Sequence, residues 1–577
     1  MKKKLLPALI VIGLIILVVI IMGITALINK YTPTKKTEDL KEYFNISSDD
    51  EAALIVDNEL SDYKAKIIDK KIYVDYKFVH DSLNSRFYWD ANENVLLYTT
   101  ASDIISAAAD SNSYSVTKQT NDFGYPIVKA TSDSALIALD YVKQYSNITF
   151  KSYGDPARIV ITSKWDEIDS ATVSKSTQVR VKGGIKSPIL KEVKKDDKIT
   201  ILDSGDKWDK VATEDGVIGY IKRKALSESK KTKLTNPDYE EETFTHIKKD
   251  KDICLAWNQV TSQSANSKVP QVISSTKGIN VMSPTWFYLN DNNGNLADIA
   301  SKDYVSYCHS QGIEVWGLFS NFENTDVDAA YVLTHTSTRT TLINQIMSAA
   351  FNYELDGVNI DFENITEAAY GDSYIEFIRE LAIKCHNNGI SLSVDVTVPA
   401  SFNKFFNRSD MANFADYIVI MGYDEHYKGS DAGSVSSIPW VTEGVESTLK
   451  EVPADQIILG MPFYTRIWEL TPKEDDDAVT DTEDQSKYTV ASQVYSMDAA
   501  AAQLATNNAT AALDEESGQN YAEWSVSNKL YKVWLEDTTS LEKRLKLVDD
   551  NKLAGAAFWK LGFENSSVWD TVIKYLN

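Results

Sequence analysis

The segment Leu355-Asp356-Gly357-Val358-Asn359-Ile360-Asp361-Phe362-Glu363-Asn364 carries polar residues at alternate positions. Alternate residues of a strand point to one face, so Asn359, Asp361 and Glu363 share a side, and Val358, Ile360 and Phe362 take the other. The apolar set fits packing beneath helices. Packing does not justify the polar set, because buried carboxylates without partners are costly. Two neighbouring carboxyls in a partly closed site cannot both ionise easily, so one keeps its proton to higher pH. A glutamic acid held protonated near neutral pH is a general acid. The spacing therefore predicts acid–base chemistry centred on Glu363.

Such groups need a scaffold that holds them at one end of a set of strands. From about residue 250 onward, apolar strand-like runs alternate with helical stretches, the pattern of a parallel α/β barrel. Strands are predicted at 252–260, 279–289, 313–321, 355–364, 390–400, 417–427, 457–468 and 554–564. The helices between them include Ala297–Gln311, Arg339–Tyr353, Tyr370–Asn388 and Trp440–Glu451. Eight such strands fit a (β/α)₈ TIM barrel over 250–577, with a small α+β insertion at about 470–535. Glu363 then reaches the C-terminal face, where the active sites of these barrels sit. The insertion opens on seven acids, Glu474, Asp475, Asp476, Asp477, Asp481, Glu483 and Asp484. They lack the alternating-ligand spacing of a tight calcium loop and read as a solvated loop. The six histidines are scattered, and no metal or cofactor is expected.

Other strand ends extend the pattern. The sixth ends Met421-Gly422-Tyr423-Asp424, and the seventh carries Gly460-Met461-Pro462-Phe463-Tyr464-Thr465-Arg466. The eighth gives Ala557-Phe558-Trp559-Lys560-Leu561-Gly562-Phe563-Glu564. Together these resemble glycoside hydrolase family 18. Its Asp-x-x-Asp-x-Asp-x-Glu signature is met at three of four positions, with Asn359 in place of the second aspartate, and its Met-x-Tyr-Asp at 421–424. The resemblance covers essentially 250–577. The wording around Asn359 is similar to the branch holding bacterial cell-wall and spore-cortex N-acetylglucosaminidases.

That resemblance implies retaining, substrate-assisted catalysis. Glu363 would protonate the glycosidic oxygen and later act as base for water. Asp361 would hold the 2-acetamido group, whose carbonyl oxygen attacks the anomeric carbon, and Tyr423 would hydrogen-bond that carbonyl. Asn359, Met421, Asp424, Tyr464, Arg466 and Trp559 are the implied substrate-binding residues, Trp559 as the floor under the reacting sugar. An amide at 359 can hydrogen-bond Asp361 but cannot share a proton with it. Asn359 is read as a subfamily trait that shifts the pH optimum. Trp257, Trp286, Trp468 and Trp559 fall on strands, where rings either stack on sugars or fill the core.

The N-terminal half bears on where this chemistry would act. Leu5 to Ile28 is uncharged and exceeds the length needed to span a bilayer. It reads as an uncleaved transmembrane anchor (5–28) rather than a signal peptide, whose apolar region is shorter. Three lysines flank it on each side, so chain length decides orientation: a short basic end stays inside and the bulk is extracellular. Residues 51–165 form a small α+β block that resembles the copper amine oxidase N-terminal-like domain, without implied copper. A helix is predicted over Ala135 to Tyr145. Five short strands within 171–228 resemble a bacterial SH3-type domain, an SH3-like β-barrel, which implies attachment to peptidoglycan; a passive spacer is the other reading. A charged linker, Ser227 to Asp250, follows.

The implied function is a membrane-anchored extracellular glycosidase that cleaves β-1,4-linked N-acetylglucosamine in peptidoglycan. Chitin or its oligomers are the alternative substrate, and a catalytically silent cell-wall glycan-binding protein is the alternative class. A formal net charge of −24 argues against nucleic acid as a partner. The partners expected are a peptidoglycan or chitin-like glycan and the cell membrane. Cys254, Cys308 and Cys385 fall in the barrel and read as buried free thiols without a disulfide.

Overall fold

The computed structural model describes residues 5–365, 367–473 and 484–576. Two compact units emerge, one made of Met1–Trp89, Ala107–Tyr114 and Thr120–Glu241, the other of Asp90–Ser106, Ser115–Gln119 and Glu242–Asn577.

The first unit begins with the helix Leu5–Tyr31. Its Pro7–Tyr31 stretch is long and apolar enough to cross a membrane, with mean hydropathy 3.2 and none of it buried. The chain leaving the helix is stitched to the β-rich body: Thr34 N donates to the Ile185 carbonyl at 2.8 Å and Lys186 Nζ to that of Thr32 at 2.7 Å. Glu59–Ile68 and Lys71–Asp75 form a hairpin. Its turn residues Asp69 and Lys70 have φ of 50° and 63°, the left-handed pair that matches hairpin twist. The run expected to be helical from Ala135 divides instead. Ala135–Ala138 is a strand paired with Tyr73–Asp75, and only Leu139–Tyr145 is helical. Cross-strand pairing overrides alanine's helix preference there.

Strands Thr177–Arg180, Ile189–Val193, Lys198–Asp203, Trp208–Thr213 and Ile218–Lys222 lie where the five short strands were predicted. Glu167–Thr172 and Lys230–Lys233 extend them to a seven-stranded antiparallel sheet. Lys230–Lys233 falls in the expected linker. All four residues are exposed, so no apolar alternation announces the strand, and an edge of lysines discourages further pairing. Ile55 and Ala53 of the strand Glu51–Val56 pack with Val173, Val179, Leu190, Val211 and Ile221 in one cluster shared with the antiparallel sheet.

The second unit is the eight-stranded parallel barrel: β1 (Ile253–Asn258), β2 (Val281–Leu289), β3 (Glu314–Ser320), β4 (Gly357–Asp361), β5 (Ser391–Thr397), β6 (Tyr417–Met421), β7 (Ile457–Pro462) and β8 (Gly555–Trp559). β1 pairs in parallel with both β2 and β8, which closes the ring. Ile253, Leu255, Trp316, Leu318, Val419 and Ile458 fill its interior. Val358, Ile360 and Phe362 face outward and pack with Phe377 and Ile378 of the helix Gly371–His386. The helix expected from Ala297 starts at Lys302, because Leu296–Asp298 pairs antiparallel with the end of β2.

The seventh strand was expected to run to 468, but it stops at Pro462. Tyr464–Pro472 instead leads a five-stranded antiparallel sheet with Tyr488–Ser496, Lys529–Leu535, Gln519–Val526 and Ala512–Asp514. Both segments are apolar and extended, so periodicity alone runs them together. Of the seven acids of the predicted loop, Glu474 to Glu483 lie outside the described residues; Asp484 accepts from Ser486 N.

Cys254, Cys308 and Cys385 are buried free thiols. Burial pushes the Cys254 and Cys308 thiols up to about 12. Denaturation without reductant followed by alkylation is expected to label all three cysteines. A single labelled thiol would reveal a disulfide.

Candidate active site

β4 presents Asn359 and Asp361 to the barrel interior, exposed by 0% and 7%, and Glu363 follows just beyond its end in the lining of a cleft. The preceding Asp356 is structural: its Oδ2 accepts from Val315 N and contacts His309 Nε2, both at 2.8 Å, which ties the start of β4 to β3. At the far end, Asn364 N donates to Asn321 Oδ1 at 3.2 Å.

A cleft of about 870 Å³ opens over these residues. Asp361, Glu363, Met421, Tyr423, Asp424 and Trp559 line it together. Asn359 lies beneath, with its amide fully used. Oδ1 accepts from Trp257 Nε1 and Ser283 Oγ, both at 2.9 Å. Nδ2 donates to Ser393 Oγ at 3.0 Å and Asp395 Oδ1 at 2.7 Å. Tyr464 and Arg466 stand behind Asp424 on the first strand of the insertion rather than on β7. Tyr464 Oη donates to Asp424 Oδ1 at 2.5 Å, and Arg466 Nη2 lies 3.6 Å from the same oxygen. Asp424 itself has φ of 60°, a left-handed backbone for a non-glycine residue at the rim of the cleft.

The electrostatics are dominated by acids. Burial raises the Asp361 carboxyl well above the usual range, and the negative charges of Asp395, Glu363 and Glu323 add to it. Asp361 Oδ1 is buried without a hydrogen-bond partner. Glu363 is raised by burial of its surroundings and then by Asp424 and Glu323. Tyr423 rises well above 10 through burial and the adjoining Asp361, Asp395 and Glu363, so it stays a hydroxyl and a donor.

The tryptophans sort by environment. Trp257 and Trp559 meet edge to face at 6.0 Å, Trp257 approaches Tyr423 at 6.4 Å, and all three rings line the cleft. Trp286 lies outside the barrel in the helix-facing core and bonds Asn266 Oδ1. Trp468 is buried in the insertion and donates to the Gly433 carbonyl.

Sequence reasoning missed Asp395, Glu323 and Trp440, all lining the cleft. The signal for Asp395 was present: Ser391, Ser393 and Asp395 alternate along β5 as the polar set alternates along β4. Glu323, bonded by Ser320 Oγ at 2.6 Å, lies in a loop where no periodicity points to it.

Residues 325–564 match the family model of the glycosyl hydrolases family 18. The uncharacterized glycosylase YvbX of Bacillus subtilis is 24% identical over 302 residues, 49% of this chain and 81% of that protein. The cortical fragment-lytic enzyme of Bacillus subtilis is 24% identical over 287 residues, 48% of this chain and 63% of the relative. A solved spore cortex-lytic enzyme from Bacillus cereus superposes with TM-score 0.50 at 18% identity, over 56% of this chain and 74% of that one. Its likeness is one of fold.

Proposed function

We propose, from the match of residues 325–564 to the glycosyl hydrolases family 18, a membrane-anchored enzyme that cleaves β-1,4-linked N-acetylglucosamine in peptidoglycan outside the cell. The observation that carries this reading is Glu363, raised by burial and by Asp424 and Glu323, at the mouth of an aromatic-walled cleft beside Asp361. The name of the cortical fragment-lytic relative supports a wall glycan as substrate. The apolar helix Pro7–Tyr31 supports the anchor. The two N-terminal sheets would hold the barrel to wall polymer or set its distance from the membrane.

The reaction proceeds in two steps. The carbonyl oxygen of the substrate's 2-acetamido group attacks the anomeric carbon. The glycosidic bond breaks with its electron pair going to the leaving oxygen, which takes the Glu363 proton. Tyr423 donates to the acetamido carbonyl and orients it, while Asp361 accepts the acetamido N–H and stabilises the oxazolinium charge. In the second step Glu363 takes a proton from water as the water oxygen bonds the anomeric carbon, and the bond between that carbon and the acetamido oxygen breaks, restoring the acetamide. The configuration is retained. Met421, Asp424 and Trp559 shape the pocket of the reacting sugar, with Asn359 beneath and Tyr464 and Arg466 fixing Asp424.

The full chain in detergent micelles, incubated with purified peptidoglycan and separately with chitin oligomers, is expected to release fragments with N-acetylglucosamine at their new reducing ends. Reducing-end and mass analysis would read this directly. Preference for chitin oligomers would move the substrate to chitin; binding of wall material without cleavage would replace the enzyme by a glycan-binding protein.

A further inference from the structure

β4 and β5 run parallel with Asn359 opposite Ser393 and Ile360 opposite Val394. The same register places Asp361 beside Asp395 on the inward face. Asp395 is 3% exposed, and among the described residues no cationic side chain lines the cleft. Two carboxyls buried side by side without a cation cannot both ionise; a proton is the remaining neutralising partner.

The Asn359 amide makes this arrangement specific. Its oxygen already accepts from Trp257 and Ser283, so its nitrogen faces Ser393 and Asp395 and must donate. An aspartate at 359 would set a carboxylate against Asp395 instead. Asn359 and Asp395 therefore form a matched pair in which the second acid of the motif has moved one strand along the barrel.

We propose that Asp361 and Asp395 share one proton, and that Asp395 is the positioning residue that lets Asp361 change charge during the reaction, a part Asn359 cannot play. The catalytic half of this inference rests on the glycosidase reading above. When the sugar binds, the shared proton settles on Asp395, and Asp361 becomes the anion that accepts the acetamido N–H. When water opens the oxazolinium, the proton returns to its shared position, so none is gained or lost over the cycle. Glu363 and Glu323 face Asp361 from the cleft, Asp424 faces Glu363, and Tyr423 just beyond β6 and Tyr374 from the outer helix face both aspartates. Burial raises both carboxyls, and Asn359 and Trp257 pull Asp395 partly back.

The test compares the full chain with Asp395→Asn and with the exchange Asn359→Asp/Asp395→Asn, which returns the acid to β4. Asp395→Asn is expected to lower kcat about tenfold or more with KM within about twofold. The pH limb that belongs to the pair moves to lower pH, because the like charge raising Asp361 is gone. The exchange variant is expected to recover kcat and the limb. Infrared difference spectra of the resting protein supply a readout that needs no substrate: the carbonyl stretch of one buried carboxylic acid should vanish in Asp395→Asn and return in the exchange variant. Unchanged kcat and pH profile in Asp395→Asn would overturn the proposal. So would a loss that the exchange variant shares with the limb unmoved, which would mark a merely structural residue. If the parent releases no sugar, the glycosidase reading falls and the infrared band alone decides the shared proton; its absence from the parent refutes it.

Discussion

Replacing Glu363 by Gln is expected to lower kcat on peptidoglycan by about a thousandfold while binding to insoluble wall glycan stays within about twofold, since positioned proton transfer is worth roughly 10²–10⁴-fold. Gln keeps the shape and can donate an N–H bond, but it has no proton to give to a leaving oxygen. The ground-state contacts of the cleft, from Trp559, Tyr423 and Met421, are untouched by the change. The effect therefore belongs in kcat rather than in KM. The same geometry fixes a sign for pH. Burial, and then the like charges at Asp424 and Glu323, hold Glu363 protonated to higher pH than an isolated glutamic acid, and activity falls as pH rises through that raised value. Removing one neighbour in Asp424→Asn lowers the Glu363 value and moves the alkaline limb to lower pH. Glu363→Gln activity within tenfold of the parent would remove Glu363 from the acid's role.

The barrel was legible because parallel strands buried on both faces read as apolar runs, and the motif on β4 was legible because polar residues at alternate positions contradict that rule. Val358, Ile360 and Phe362 pack outward as the alternation requires. Where sequence reasoning stopped short, the reason was local. Pro462 ends β7, yet the next strand continues its apolar pattern, so Tyr464 and Arg466 were assigned to the barrel although they belong to the insertion. Trp286 and Trp468 could not be told from Trp257 and Trp559 by position on a strand. What separates them is which neighbours enclose each ring, a tertiary property. The meaning of Asp395 is not legible from β5 alone, because it lies in the register between β4 and β5.

A buried ion pair links the insertion to the residues beside the site, and breaking it is expected to cost about 3–5 kcal/mol. Arg544, 1% exposed on the helix Thr538–Asp550, pairs with the wholly buried Glu536 and donates to the Ser436 carbonyl at 2.5 Å. Gln519 Nε2 and Ser540 Oγ complete the shell around Glu536 at 2.8 and 2.9 Å. Ser436 Oγ in turn donates to the Gly422 carbonyl at 2.6 Å, one residue before Tyr423. Glu536 N bonds Thr465 Oγ1 at 3.0 Å, next to Tyr464 and Arg466. Arg544→Met keeps the volume but strands a carboxylate, so both the fold of this half and the placement of Tyr423 and Asp424 suffer. The loss should depend on pH. Burial pushes Glu536 up to about 7 against the pull of Arg544, from an ordinary value of 4.5. A raised carboxyl contributes stability that is present below its unfolded value and lost as pH rises through its folded one. Without Arg544 the folded value climbs further, so the gap between variant and parent is small near pH 5 and widens toward pH 8. Urea unfolding followed by tryptophan emission reads this half of the chain, since nine of the twelve tryptophans lie in it. Glu536→Gln/Arg544→Met should recover most of the loss and flatten its pH dependence, because no charge is then left unpaired. A variant–parent gap of equal size at pH 5 and pH 8 would show that lost packing, rather than the stranded carboxylate, sets the cost.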